Sequence, residues 1–465
     1  MTTTSAPAQL KPIQRYGLAI GALVFLLPFL LDIPGLDEPG ERMLSIFLLA
    51  IVFWITEAIP LMATAVLVIL LEILLISDAA LLPVGEEALK YSSYFASLAN
   101  PVIILFLGGF LIADGAAKFG LDHNLAAVFM KPFAGSGRLT VLGLMLITAA
   151  LSMFMSNTAT TAAMFAVVIP IIAAMPDARA KAGVALAIPV AANIGGMGTP
   201  VGTPPNAIAL GALAARGLSI SFVEWMVIAV PLMLVILFGA WVLIARYFMT
   251  TDTRVNLTMK ADFDRSTPAR MYYAIAGLTI LLWMTEPLHG VSSNIVGFVP
   301  VVALLALRVM GGRDIQNLSW PVLWLVAGGI ALGNGVGASG LDAWLLGSFD
   351  WAALSAVGVL ALLTAIGLGM ANVISHSAAA NLLVPLAIGF SDVVGAEPAM
   401  IAVVVALATS LGMSMPISTP PNAIAYATGQ IELKHMALVG LVVGIGGALL
   451  LAFVMPPIWQ FFGLL

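Results

Sequence analysis

Two short polar clusters stand alone in apolar sequence, SNTATT at residues 156 to 161 and SHSAAAN at 375 to 381. A heptapeptide, TPPNAIA, occurs letter for letter at 203 to 209 and again at 419 to 425. Ser, Asn and Thr are the residues that cap helix N-termini. Such an end offers unpaired backbone N–H groups and about half a positive charge, which suits a carboxylate or sulfate oxygen. Ser156, Asn157 and Thr158, with Ser375, His376 and Ser377, are therefore candidate anion ligands. Thr203 and Pro204, and likewise Thr419 and Pro420, would open a second helix half and aim a hydroxyl and an N–H at the same ligand. This is the chemistry of binding: the chain has no Cys, and nothing in it matches a nucleophile elbow or an HExxH helix. A hydrolase pairing Ser156 with His376 is the enzymatic rival, and a serine-reactive probe would expose it.

The charges that are missing matter as much. No Lys or Arg lies between Leu139 and Pro176, between Trp351 and Ser391, or inside the TPPNAIA segments bounded by Lys181 and Arg216 and by Glu397 and Glu432. A dianion held by dipoles alone would be poorly neutralised, so co-bound cations, ligated by carbonyls and side-chain oxygens, are expected beside it.

The elements that must position these residues are membrane helices. With 61% hydrophobic and 9% charged residues and a mean hydropathy of +1.10, the chain cannot be a soluble globule. The net charge of −5 sits in short loops and offers no surface for nucleic acid. Apolar runs suited to crossing fall at about 16–31, 43–56, 58–77, 99–117, 225–245, 271–285, 291–307, 319–338 and 436–462. The first of these has no cleavage site after it and reads as a retained helix. Each TPPNAIA segment is too long for one straight span and is broken by its Pro pair, which predicts a crossing made of two half-helices, for about eleven crossings in all. The stretches holding SNTATT and SHSAAAN have arms too short to span and are expected to be re-entrant hairpins. Irregular backbone at membrane depth, paired in two halves, points to a transporter's binding site. If the N-terminus is cytoplasmic, only Arg42, Lys90 and Arg216 among the basic residues fall outside, which agrees with the positive-inside bias and puts the C-terminus outside.

Self-comparison extends the duplication: WITE at 54 to 57 matches WMTE at 283 to 286, and GFLIADGAAKFGLD at 109 to 122 matches GIALGNGVGASGLD at 329 to 342. Each unit has an odd number of crossings, so the copies are inverted repeats. The expected organisation is an N-terminal tail and first helix (1–42), a first repeat (43–249, divided at 130), a cytoplasmic linker (250–270) and a second repeat (271–465, divided at 345). Glu57 and Glu286 at matching crossing ends read as structural, Asp114 and Glu72 are expected to face protein, and Gly108–Gly109 and Gly328–Gly329 to permit close helix packing.

A hairpin tip reading SNT followed by a broken helix with a TPPN joint, both duplicated, resembles the divalent anion/sodium symporter family. That resemblance implies an all-α polytopic protein of the inner cell membrane, a homodimer, in which scaffold helices (43–130 and 271–345) stay fixed. The hairpins and broken helices (131–249 and 346–465) would move as an elevator. It implies transport of a dicarboxylate, with citrate, sulfate or sulfonate as alternatives, coupled to sodium, and no organic cofactor. It also implies a first sodium site at Ser152, Ser156, Asn157 and Gly202. The second site, at Ala371, Ile374, His376 and Ser418, departs from the family pattern because His376 replaces an Asn and Ala371 a hydroxyl residue. A protonated imidazole there could stand in for a cation. A sodium-independent or proton-linked exchanger, and an anion channel, are the competing non-enzymatic readings.

Overall fold

The computed structural model describes residues 11–465 apart from 32, 85–87, 134, 176, 250–260, 349–353 and 392–394. The polar residues before Lys11 and most of the expected 250–270 linker lie outside the described residues. Every regular element among the described residues is helical, and seven helices are long and apolar enough to cross a membrane, so the chain is a multi-pass membrane protein.

In the first half, α1 (Pro12–Leu26), α2 (Glu38–Thr56), α3 (Leu61–Ile76) and α4 (Pro101–Lys118) precede the first hairpin, α5 (Gly137–Ser152) and α6 (Asn157–Ala174). The broken helix α7 (Ala178–Gly196) and α8 (Pro204–Ala214) follows, and α9 (Phe222–Phe248) closes the half. The second half repeats the order: α10 (Thr267–Met284), α11 (Ser293–Ala306), α12 (Trp320–Ala338), hairpin α13 (Ala356–Val373) and α14 (His376–Gly389). Its broken helix is α15 (Pro398–Thr409) and α16 (Pro420–Ala427), and α17 (Leu433–Leu449) runs on through a π turn into a last helical segment ending at Phe461.

α2 begins before the apolar run that announces it. Asp37 caps it, its Oδ1 accepting from Gly40 N at 2.9 Å. Arg42 is drawn inside, with Nη2 2.6 Å from Glu38 Oε2 and Nη1 donating to Pro83 O at 2.9 Å, so a charged first turn is compatible with a spanning helix. Three hairpin arms, α5, α6 and α14, rise roughly 21–27 Å at 1.5 Å per residue and are not among the seven helices long and apolar enough to cross, whereas the fourth, α13, is.

The broken helices form the centre. Residues 182–196 of α7 and 400–409 of α15 are buried all round, as expected of helices with apolar residues on every face. The repeats interlock here: α8 packs on α15 and α14, while α16 packs on α7 and α6. Around them α4 pairs with α11, and α3 with α12. These contacts need glycine, since a Cβ at Gly108 would collide with the Gly297 carbonyl and one at Gly328 with Ala65. Gly109 and Gly329 face inward instead, against Val201 of the first joint and Asn381 of α14. Glu72 is fully buried within protein and Asp114 partly so. Glu57 ends α2 in the left-handed region at φ 47°, and Glu286 Oε2 accepts from Phe222 N at 3.4 Å, both structural positions.

Candidate functional site

The hairpin tips are built by capping. Ser156 is extended (φ −61°, ψ 142°) and its Oγ accepts from Ala159 N at 3.2 Å, which starts α6. Ser375 does the same for α14, accepting from Ala378 N at 3.2 Å. The broken-helix joints follow from Pro-Pro at the first two positions of α8 and α16, which leave the preceding carbonyls without partners. The Asn of TPPN supplies them. Asn206 Nδ2 donates to Gly196 O at 3.0 Å and Thr199 O at 2.7 Å, and Asn422 Nδ2 to Met413 O at 2.7 Å and Met415 O at 3.0 Å.

Tips and joints meet at one cavity of about 450 Å³, a size suited to a small ligand. Ser156, Asn157, Thr158, Thr203, Pro204, Ser375, His376, Ser377, Thr419 and Pro420 all line it, with Gly202 and Ser418. Thr203 makes no capping bond through its hydroxyl. Thr419 Oγ1 accepts from Asn422 N at 3.3 Å and from Asn193 Nδ2 at 3.3 Å. The described lining contains no Lys, Arg, Asp or Glu. Ser152, Ala371 and Ile374 lie behind the lining rather than on it.

Behind the first tip is a knot of oxygens. Ser152 Oγ donates to Ala192 O at 2.8 Å and lies 2.7 Å from the Asn157 amide. The same amide atom is 3.1 Å from Ala192 O and 3.3 Å from Gly202 O. An oxygen there would face only acceptors, so the atom is the amide nitrogen, and it donates to these neighbours. Turning the amide over would set its oxygen beside the Ser152 hydroxyl and the Ala192 and Gly202 carbonyls, four oxygens of the kind a hard cation takes. The donor set fits a sodium ion. It uses the Ala192 carbonyl, which no sequence pattern marks, whereas the Ser156 hydroxyl is engaged in capping. The second tip differs: His376 Nε2 lies 2.7 Å from Gly412 O.

Sequence reasoning overlooked Asn193, which lines the cavity and joins the repeats, its Nδ2 donating to Asn422 Oδ1 at 3.1 Å. Its repeat counterpart is Thr409, so self-comparison gave no signal. Asn206 and Asn422 were visible as the polar members of TPPNAIA. The remaining wall is apolar scaffold: Phe106 and Phe110 of α4, the α2–α3 turn at Pro60 to Met62, and the start of α12 at Ser319 to Val322.

Charged groups pair away from the cavity. Lys118 Nζ is 2.8 Å from Asp314 Oδ2. Partial burial pushes the Asp314 carboxyl up, but Lys118 and the Gly311 N–H outweigh it and hold it below its ordinary value.

Known proteins bear on this arrangement. The family described as the sodium:sulfate symporter transmembrane region matches residues 13–465. A sodium-dependent dicarboxylate transporter of Staphylococcus saprophyticus is 32% identical over 96% of this chain and 92% of its own length. A Staphylococcus aureus (strain USA300) protein of the same description is 30% identical over 95% and 90%. Among solved structures, the Alcanivorax borkumensis YdaH transporter, described as having an unusual topology, superposes with a TM-score of 0.54 at 16% identity, covering 92% of this chain and 99% of that one, and so shares the fold. With its duplicated tips and joints, the chain belongs to the sodium:sulfate symporter family.

Proposed function

We propose that the protein is a secondary carrier of a dianionic carboxylate, first of all a C4-dicarboxylate, coupled to sodium. The observation that carries this reading is the convergence of both hairpin tips and both TPPN joints on one cavity with no basic side chain in its described lining. The N-termini of α6, α8, α14 and α16 offer N–H groups and partial positive charge to the anion. Sodium supplies the neutralisation those dipoles lack, and the oxygens of Ser152, Asn157, Ala192 and Gly202 support a place for it. The sodium and dicarboxylate in the descriptions of the Staphylococcus relatives support the same cargo. His376 Nε2 is engaged with a carbonyl, which leaves a Ser156–His376 hydrolase without that nitrogen as its base.

In this reading the N-terminus is cytoplasmic, the C-terminus is outside, and the membrane is the inner cell membrane. Contacts between loops support the sorting. Lys118 with Asp314, Trp241 Nε1 with Arg138 O at 2.9 Å, and Arg179 over the Tyr247 ring at 4.5 Å all join expected cytoplasmic segments. Arg216 with Asp342 at 3.8 Å and Trp344 Nε1 with Pro34 O at 3.0 Å join expected outer ones. The scaffold wall of the cavity at Pro60–Met62 and Ser319–Val322 then belongs to the cytoplasmic side, so the site faces inward. Alternating access follows if hairpins and broken helices move as an elevator against the scaffold of a homodimer.

Counterflow tests the carrier reading. Proteoliposomes loaded with unlabelled succinate should transiently accumulate labelled succinate, faster in sodium than in choline. Equal uptake with and without internal succinate would indicate a channel, sodium-independent counterflow an exchanger, and counterflow by sulfate but not succinate a sulfate carrier.

A further inference from the structure

The two tips are copies of one unit, so each is a control for the other. At the first, Ser152 Oγ, the Asn157 amide, Ala192 O and Gly202 O come together. At the matching positions of the second stand Ala371, His376, Ala408 and Ser418. Ala371 is fully buried and has no side-chain oxygen to offer. A carbonyl only accepts, so His376 Nε2, 2.7 Å from Gly412 O, carries a hydrogen and donates it. The imidazole needs no second proton to make this bond. Gly412 corresponds to Gly196, the residue of the first joint against which Asn157 packs. Ser418, where the first joint has Gly202, is also engaged: its Oγ donates to Met415 O at 2.6 Å and accepts from Asn422 Nδ2 at 3.4 Å. Both tips are closed by a side-chain N–H on joint carbonyls, but the Asn157 amide carries an oxygen that can be turned to the same place, whereas the His376 imidazole has none and Ala371 lacks the hydroxyl altogether. A hard cation requires oxygen ligands and is repelled by an N–H dipole pointing along its line of approach.

We propose that the second hairpin tip is not a sodium site, that the His376 N–H held by the Gly412 carbonyl takes the cation's structural place there, and that this centre binds a single sodium ion at the first tip. The inference rests on the sodium-coupled reading above and fixes its stoichiometry: the loaded centre carries one sodium beside the dianion. The asymmetry also gives the tips different jobs. The first can exchange its amide N–H for the amide oxygen when sodium arrives, whereas the second has only its imidazole N–H, held by the joint carbonyl.

Equilibrium binding of radioactive sodium to the purified full-length protein, in choline buffer without substrate, tests this. The expected result is one ion per chain with a Hill coefficient of about 1. Ser152→Ala should weaken that binding at least tenfold, while His376→Asn should leave the first ion bound. Two ions per chain in the unmodified protein would overturn the inference and leave sodium coupling standing. So would a single ion that survives Ser152→Ala and is lost in His376→Asn. No ion at all would remove the sodium-coupled reading together with the inference. Should Ser152→Ala fail to fold, Ser152→Gly carries the same test of place, and two ions in the unmodified protein would overturn the inference by themselves.

Discussion

Thr203 and Asn157 both line the cavity; the Thr203 hydroxyl makes no capping bond, so its loss should separate binding from folding, whereas Asn157 also ties Ser152, Ala192 and Gly202 together. A hydrogen bond to a charged group is worth about 1.5–3 kcal/mol, so Asn157→Ala or Thr203→Ala should weaken succinate binding roughly 10- to 150-fold in a thermal-shift titration with sodium present. Unchanged affinity in both would move the anion elsewhere. Asn206 predicts the opposite pattern. Its Nδ2 is the partner of joint carbonyls at Gly196 and Thr199, so Asn206→Ala leaves buried acceptors unpaired and should cost on the order of 1–3 kcal/mol of stability, seen as a lower melting temperature before any ligand is added. At this scale the sequence was informative where chemistry is local. Ser156 and Ser375 cap the helices they precede because a cap depends on residues three positions away. The partners of Asn193 and His376 lie 226 and 36 residues away, and only tertiary structure reveals them.

At the scale of elements, the breaks in α7–α8 and α15–α16 were legible because Pro-Pro cannot continue a helix and because the segments exceed one span. The start of α2 was not, because an apolar run cannot announce a charged first turn whose Arg42 finds carbonyl partners at Leu75 and Pro83. Helix contacts make a sharper prediction. Gly108 sits against backbone of α11, which cannot move aside as a side chain can, so Gly108→Ala should destabilise by about 1–3 kcal/mol or more. Gly277 of α10 has nothing within 4 Å of its would-be Cβ, and Gly277→Ala should be neutral or raise stability by up to about 1 kcal/mol through helix propensity. Equal melting temperatures for the two variants would contradict the close α4–α11 approach. The hairpins can be probed because the chain has no Cys. A Thr158→Cys protein should react with an impermeant thiol reagent from the cytoplasmic face and be protected by substrate. Labelling from the outer face alone would turn α5 and α6 into two full crossings.

For the whole molecule, WITE and WMTE, the matched GLD segments and the twin TPPNAIA heptapeptides announce the duplication. What they could not announce is how the halves interlock, with α8 seated on α15 and α16 on α7, or which scaffold ends face the cavity. Both depend on packing between segments distant in the chain. Both matter for coupling: a cavity that neutralises a dianion with sodium cannot be loaded by one ion without favouring the other, so their affinities must rise together. The most direct test is uptake of labelled succinate into proteoliposomes under an inward sodium gradient, with an equal choline gradient as control and Asn157→Ala alongside. The account predicts accumulation above the external concentration in sodium, equilibration at most in choline, and neither accumulation nor sodium dependence in the variant. Concentrative uptake that is the same in choline, or that persists unchanged in Asn157→Ala, would contradict it.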